Sequence, residues 1–298
     1  MGLCLDIFKF IESNGIGCRI EMLGSSEVIV IQSDSCLVKV VLPIEINASD
    51  ISETERQSRE MEDTIGCIVK TCGVYPLIIT EDRWEMRKDM MQKRLLAHLE
   101  IFVPVYARNC EVRRIGKEEA SAFLDACHSY GDAACRYRYG LFVKRHTGHL
   151  ALSGETDRLL PGTLVAVATF SNARKWIKAG KVIRSYEWTR YASLPEVRVT
   201  GGMGRLLRRF IEDVGPDDIM SYADLEWSEG KVYEQLGFKA ESRKEPVTFF
   251  IDSQWHRRPV KTEATVSGEL ECRRMFRNFG SRKYRLKLTD YIQTDQDL

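Results

Sequence analysis

A glycine cluster, Gly201-Gly202-Met203-Gly204, follows an extended stretch and opens the helical pattern Arg205 to Val214. That order has a definite chemistry. The first backbone amides of a helix lack an internal acceptor, and the helix dipole adds positive potential there. Glycines let an anion such as a pyrophosphate approach those amides closely. An ordinary turn is the plain alternative for the same residues. Downstream, Asp218 to Ala223 reads as a strand, and Lys231 to Leu236 as a short helix ended by Gly237. Tyr233 in that helix is a phenol that can give a proton or simply pack as a core aromatic.

Other residue types point away from metal chemistry. The nine cysteines are Cys4, Cys18, Cys36, Cys67, Cys72, Cys110, Cys127, Cys135 and Cys272, an odd number with no CxxC pair. A zinc site wants paired short spacings. They read as small apolar residues of a reducing compartment, so a cytoplasmic location without a metal site is expected.

The elements that must position these residues follow from pattern. With 298 residues, two domains are the better expectation. Apolar residues make up 44% and charged residues 29%, and the net charge is +1, which suits a soluble globular chain with no global field toward nucleic acid. The Leu5, Phe8, Ile11 pattern is interrupted by Asp6, Lys9 and Glu12, unlike a secretory segment, and no apolar run reaches membrane-spanning length. Helices are expected over Met1–Asn14, from a Ser52/Glu55 capping box to about Lys70, over Asp82–Leu99 and over Lys117–Ser129. Strands are expected over Glu27–Gln32, Cys36–Leu42, Val74–Thr80, Cys110–Ile115, Tyr137–Lys144, Leu164–Phe170, Ser185–Tyr191, Asp218–Ala223 and Val247–Ile251, with a turn at Ser33-Asp34-Ser35. Val103-Pro104-Val105 reads as an extended connector, and the domain boundary is placed there: 1–103 and 104–298.

The strand–loop–helix that ends in Tyr233-Glu234-Gln235-Leu236-Gly237-Phe238 resembles the C-terminal half of the GNAT acyltransferase fold. In that family the strands flanking the glycine loop splay apart, coenzyme A lies in the gap, and the helix tyrosine serves as general acid for the leaving thiolate. Arg198 and Gly201 fit the first half of the family's loop, and Met203 stands where Gly or Ala is usual. The resemblance thus implies acetyl-CoA or another acyl-CoA held at Arg198, Val199, Gly201, Gly202, Gly204 and Arg205, with Tyr233 as acid.

A narrower resemblance covers roughly 130 residues by five motifs. They are Ala126-Cys127-His128-Ser129-Tyr130-Gly131 with Tyr139-Gly140-Leu141-Phe142-Val143, Tyr186-Glu187-Trp188-Thr189-Arg190-Tyr191, Arg198-Val199-Thr200-Gly201-Gly202, Ser221-Tyr222-Ala223-Asp224, and Gly230 to Tyr233. Their order is similar to that of phage Mom-type DNA-modification proteins and of mobile-element relatives that carry the same module behind a nuclease-like domain. The site residues this implies are His128, Glu187, Arg190, Ser221, Asp224 and Tyr233. Glu187 and Arg190, three apart on a strand, are expected to face opposite ways.

The N-terminal half resembles the nuclease-like domain of those fusions through Ile78-Ile79-Thr80-Glu81-Asp82-Arg83-Trp84. The hairpin positions that align with its metal-holding carboxylates are Val28 and Lys39, expected side by side, so a degenerate restriction-endonuclease-like domain is expected rather than an active nuclease. The overall expectation is an α/β (α+β) protein: that domain followed by a GNAT-like domain with a splayed mixed sheet. Its function would be N-acyl transfer on or near nucleic acid; alternatively, both domains would be worn and the protein a non-catalytic DNA binder. Two basic stretches could meet DNA: Arg83 to Arg94, and a tail from Arg257 to Lys287 interleaved with Phe276, Phe279 and Tyr284.

Overall fold

Leu3, Ile7 and Ile11 recur at helical spacing and form the buried face of α1 (Leu3–Ser13). The computed structural model describes residues 2–32, 38–145, 159–178, 180–226, 230–260 and 274–291. The expected turn at Ser33-Asp34-Ser35 lies outside them. Strands β1 (Cys18–Leu23), β2 (Ser26–Gln32), β3 (Val38–Ile44) and β4 (Leu77–Thr80) form one sheet in that order, β3 and β4 being parallel. Helix α2 (Ile51–Cys72) makes the crossover. Its capping box lies two residues before the expected one. Asp50, extended at φ −141°, accepts from the Glu53 amide at 2.8 Å, and Glu53 accepts from the Ser49 amide at 2.9 Å. A carboxylate at that point also meets the helix dipole, which the Ser52 hydroxyl cannot do.

Two further expectations are corrected here. Val28 and Lys39 are not neighbours: Lys39 pairs with Ile31, and Val28 pairs with Glu21 on β1. The run Val28–Ile31 is buried throughout and sets the register against Val40, Val41 and Leu42. The helix expected over Asp82–Leu99 is two, α3 (Glu81–Met86) and α4 (Lys88–His98), because Arg87 leaves helical geometry at φ −139°.

The next part of the chain alternates strands and helices. β5 (Val103–Tyr106) was read as a connector, yet it pairs in parallel with β11 (Val197–Thr200). Between them lie β6 (Cys110–Arg114), α5 (Lys117–Cys127), β7 (Tyr137–Val143), β8 (Leu164–Phe170), β9 (Arg174–Lys178) and β10 (Lys181–Ser193). After β11 come α6 (Gly202–Val214), β12 (Asp218–Asp224), α7 (Lys231–Gln235) and β13 (Lys239–Lys244). β14 (Thr248–Ile251), β15 (Arg257–Pro259) and β16 (Arg274–Arg277) form a separate three-stranded sheet. Finally β17 (Ser281–Lys287) enters the large sheet, whose order is β13-β17-β12-β10-β8-β7-β6, with β9 paired to β10.

Contacts divide the chain into two units, and neither is contiguous. The first comprises Met1–Gln92, Asp224–Trp227 and Glu245–Gly280; the second comprises Lys93–Ala223, Ser228–Lys244 and Ser281–Leu298. The boundary expected near residue 103 falls inside the second of these contact units. In the second unit, Phe210 of α6 stacks on Phe170 with centroids 3.8 Å apart, and Tyr137, Tyr139 and Tyr186 meet its ring edge-on. In the first, Ile251, Phe276 and Phe279 share a core with Val28, Val40 and Leu42. The described part of the supposed basic tail is thus largely strand, with Phe276 and Tyr284 buried, and residues 261–273 lie outside it.

The first unit also buries a charge network. Arg257 donates through Nε and Nη2 to Asp82, at 2.5 and 3.1 Å, and through Nη1 and Nη2 to Glu226, at 2.7 and 2.9 Å. Thr80 accepts from Nη2 at 3.0 Å, and Arg83 lies 3.8 Å from Glu226. Two forked carboxylate pairs use one guanidinium's planar donors, which a lysine cannot imitate. Arg83, expected in an exposed basic patch, is buried here. Desolvation alone would lift the Asp82 carboxyl; the hydrogen bonds and charge of Arg257 outweigh it and hold Asp82 below the usual range. A depressed folded value means the stabilisation is complete above the unfolded value near pH 4 and fades as pH falls through the folded one. Urea titrations of the wild type and Asp82→Asn should therefore differ by roughly 3 kcal/mol at neutral pH and converge once pH has fallen through the depressed folded value of Asp82. Equal midpoints at pH 7 would contradict this.

Candidate functional site

In the second unit, β10 and β12 pair in parallel at only three positions: Ser185 with Asp218, Tyr186 with Ile219, and Glu187 with Met220. Beyond them β10 bulges between Trp188 and Arg190, and from Trp188 to Ser193 it pairs with β8. A bulge adds a residue and extra twist, which carries the strand away from its other neighbour. The two strands therefore part after Glu187 and Met220, as a splayed sheet requires.

The paired end is fastened by charge. Asp218 accepts from the Ser185 hydroxyl at 2.5 Å, from Arg285 at 2.7 Å and from the Tyr291 hydroxyl at 2.5 Å. Arg285 also donates to Glu241 at 2.6 Å, and Lys283 lies 3.1 Å from the same carboxylate. β17 and β13 thus hold β12 at its paired end, two residues before the parting.

At the parting itself stand Ser221 and Tyr233. The Ser221 hydroxyl has one proton and two acceptors in reach, the Trp188 carbonyl and the Tyr233 oxygen, each at 3.0 Å. The Tyr233 ring stacks on Tyr284 with centroids 5.2 Å apart and meets the rings of Trp188 and Phe238 edge-on. Burial pushes the phenol up, more than the Ser221 hydrogen bond lowers it, so Tyr233 keeps its proton at neutral pH. The helix that carries it starts at Gly230, where φ is +81° and a Cβ would collide with the Tyr284 ring. Glycine is needed there on both counts.

The glycine cluster opens α6 as its sequence suggests. Gly201 takes a left-handed φ of +77°, and no side chain caps the helix. The first intrahelical bond runs from the Arg205 amide to the Gly201 carbonyl at 3.1 Å, so the amides of Gly202, Met203 and Gly204 precede any intrahelical acceptor. A Cβ at Gly202 would come within 2.7 Å of Val199 and 3.2 Å of the Tyr191 hydroxyl, and one at Gly204 within 3.2 Å of Leu236. The helix start therefore lies against the strand leaving the parting and against the Tyr233 helix. Met203 turns its side chain into the core, so only its backbone is left to meet an anion.

The remaining expected residues serve other contacts. Arg205 donates to the Ala107 carbonyl at 2.7 Å, Arg198 lies over the Phe102 ring at 5.1 Å, and Val199 pairs with Val105. Arg190 donates to the Gly131 carbonyl at 3.1 Å, and His128 accepts from the Tyr130 amide at 3.1 Å, so both shape the loop after α5. Asp224 accepts from the Glu226 amide at 3.0 Å in a turn. Glu187 is half-buried on the last paired position, and the bulge just beyond it breaks the simple alternation expected between Glu187 and Arg190. Sequence reasoning passed over Tyr284, Tyr191 and Trp188 as site residues; the signal for Tyr284 was hidden by the basic residues around it. Among the described residues no group of His, Cys, Asp and Glu could hold a metal ion. Burial pushes the Cys4 and Cys127 thiols up to about 11, so neither is a ready nucleophile.

Comparison with known proteins gives structural likeness alone. No family model matches the sequence. No curated protein matches it. Solved structures do. A conserved protein from Enterococcus faecalis V583, provisionally assigned as an N-acyltransferase, is 14% identical over 48% of this chain and 35% of its own, with a TM-score of 0.33. Eis1 from Mycobacterium abscessus is 18% identical over 52% of this chain and 37% of its own, also with a TM-score of 0.33. The acetyltransferase-assigned yncA from Salmonella typhimurium, solved with its cofactor acetyl-CoA, is 13% identical over 63% of this chain and 98% of its own, with a TM-score of 0.34. The chain thus spans about a third of the length of the first two. The described residues form mixed α/β sheets, and activity has to be read from the site. No helix among the described residues is long and apolar enough to cross a membrane.

The site generates a stability prediction. Gly230→Ala should cost at least about 1–3 kcal/mol, since it adds both strain at positive φ and a clash with Tyr284. Thermal unfolding checks the cost, and near-ultraviolet circular dichroism should show the Tyr233–Tyr284 environment altered. An unchanged midpoint would refute the packing described.

Proposed function

We propose that the second unit is an N-acyltransferase that takes its acyl group from acetyl-CoA or a related acyl-CoA. The observation that carries this is the Ser221–Tyr233 pair at the point where β10 and β12 part, with the open start of α6 beside it. The residues fit such a donor: three amides without an intrahelical acceptor suit a diphosphate, and the parted strands leave backbone groups for an extended arm. When bound, acyl-CoA supplies a thioester whose acyl group passes to an amine nitrogen, leaving a thiolate. Tyr233 holds the proton that the thiolate takes. Ser221 then turns its own proton from the Trp188 carbonyl to the Tyr233 oxygen and stabilises the phenolate left behind. Glu187, half-buried at the last paired position, is the carboxylate we assign to accept the proton released by the amine.

The five motifs whose order resembles that of Mom-type proteins favour an acceptor amine on a nucleic acid. For the first unit we propose a nuclease-like domain without metal-dependent cleavage. In support, the Asp82 and Glu226 carboxylates are both engaged by the Arg257 guanidinium.

The donor is tested directly by calorimetric titration with acetyl-CoA. Binding is expected, and Thr200→Asp, which puts a carboxylate at an exposed position before the glycine turn, should weaken it roughly tenfold. Tyr233→Phe should lower kcat for thiol release by about 10²–10⁴-fold and leave donor affinity nearly unchanged. Because the acid must be protonated and its pKa lies above the ordinary value near 10, kcat should stay level on the acid-group side through pH 9. Failure of the wild type to bind acetyl-CoA or its free thiol form would sink the proposal. So would magnesium-dependent DNA cleavage lost in Asp82→Asn for the reading of the first unit.

A further inference from the structure

β9 and the first residues of β10 form a hairpin in which Lys178 pairs with Lys181, Ile177 with Val182, Trp176 with Ile183, and Lys175 with Arg184. From Arg174 to Arg184 there are five Lys or Arg and no acidic residue. Two of the cross-strand pairs are like-charged, which destabilises a hairpin unless something anionic relieves it. Arg184 has relief within the fold, since it donates to Asp217 at 3.4 Å and to the Gly215 carbonyl at 2.5 Å. Among the hydrogen bonds and ion pairs seen for the described residues, no carboxylate meets Lys175 or Lys181.

Three apolar residues of the same hairpin are exposed too, Ile177 at 79%, Val182 at 58% and Trp176 at 46%, while Ile183 opposite Trp176 is buried. Lysines on an edge strand can be explained as protection against edge-to-edge pairing. That account does not cover an exposed tryptophan and an exposed Ile–Val pair, which make an edge more adhesive. An anionic membrane would explain both kinds of residue, but the order along the hairpin opposes it. Lys178 and Lys181 are the last paired residues before the chain reverses, so the ammonium groups lead and the apolar pair follows. Inserting that end into acyl chains would desolvate two charges first.

We propose that this hairpin, Arg174 to Arg184, is a docking arm for single-stranded nucleic acid. The lysines track phosphates, and Trp176, already under the Lys178 ammonium at 5.9 Å, offers a face for a base to stack on. The arm is continuous with the site, because β10 runs from Arg184 to Trp188 at the parting of the strands, a rise of roughly 13 Å. A strand held on the arm lies within a few nucleotides of Tyr233. That last link rests on the transferase reading; the docking itself does not.

The test is fluorescence anisotropy of a labelled single-stranded oligonucleotide with the full chain, from about 50 to 200 mM salt. The wild type should bind, with affinity falling steeply as salt rises. The triple variant Lys175→Ala, Lys178→Ala, Lys181→Ala should bind more weakly and flatten the logarithmic salt slope by about two units. Trp176→Ala should lose roughly tenfold at every salt concentration without changing the slope. The triple Arg variant, which keeps the charge, should restore binding, and circular dichroism should show all variants folded. Three results would overturn the proposal: no binding by the wild type, an unchanged slope in the triple Ala variant, or binding to phosphatidylglycerol vesicles with none to the oligonucleotide. Acetyl-CoA titration of the same samples separates the two readings. Retained donor binding without oligonucleotide binding removes the arm alone, whereas the reverse removes the transferase alone.

Discussion

Everything at the site depends on how soon β10 and β12 stop pairing. Three parallel positions fix the strands, and the bulge at Trp188–Arg190 then turns β10 toward β8. With fuller pairing, the Trp188 carbonyl would be spent on a ladder bond. Left unpaired by β12, it is met instead by the Ser221 hydroxyl, and Ser221 in turn reaches Tyr233. The Asp218–Arg285–Glu241 network at the closed end gives the parting a fixed origin. Unpaired backbone at a strand edge needs partners, and here a serine, a tyrosine and the approach to α6 occupy that edge.

The sequence displayed the parts of this site whose chemistry is local. A left-handed turn into a helix needs glycine, and Gly201 shows it. The strand–helix order from Asp218 to Phe238 is likewise local, and Tyr233 could be singled out from it. The parting could not be read, because a bulge between Trp188 and Arg190 is decided by which neighbour each half of β10 finds. Arg190 and His128 read as polar site residues from the sequence, and in the structure both make hydrogen bonds to the loop at residues 128–131.

Two of the strands that escaped notice share a physical cause. Lys239–Lys244 and Ser281–Lys287 are rich in charge and show no apolar alternation. They are strands because Glu241 on one meets Arg285 and Lys283 on the other, a compensation across 44 residues for the Arg285 bond. In the same way Glu226, Asp82 and Arg257 look like surface charges taken singly, and become interior only as a group. Charge pairing at long range leaves no periodic trace in a sequence, so helices with an apolar stripe were legible and these strands were not.

The discontinuity of the two units bears on how the protein comes off the ribosome. The first 92 residues cannot complete their core until Ile251, Phe276 and Phe279 have been made, and Asp82 waits for Arg257. The large sheet waits longer still, since β17 must slip between β12 and β13. The first unit lacks its last segment until Gly280 and the second until the residues after it, so vectorial synthesis gives little head start. Contacts of such long sequence separation slow folding and leave strand edges exposed meanwhile. A nascent chain of this design is a natural client for chaperones until its last strand arrives.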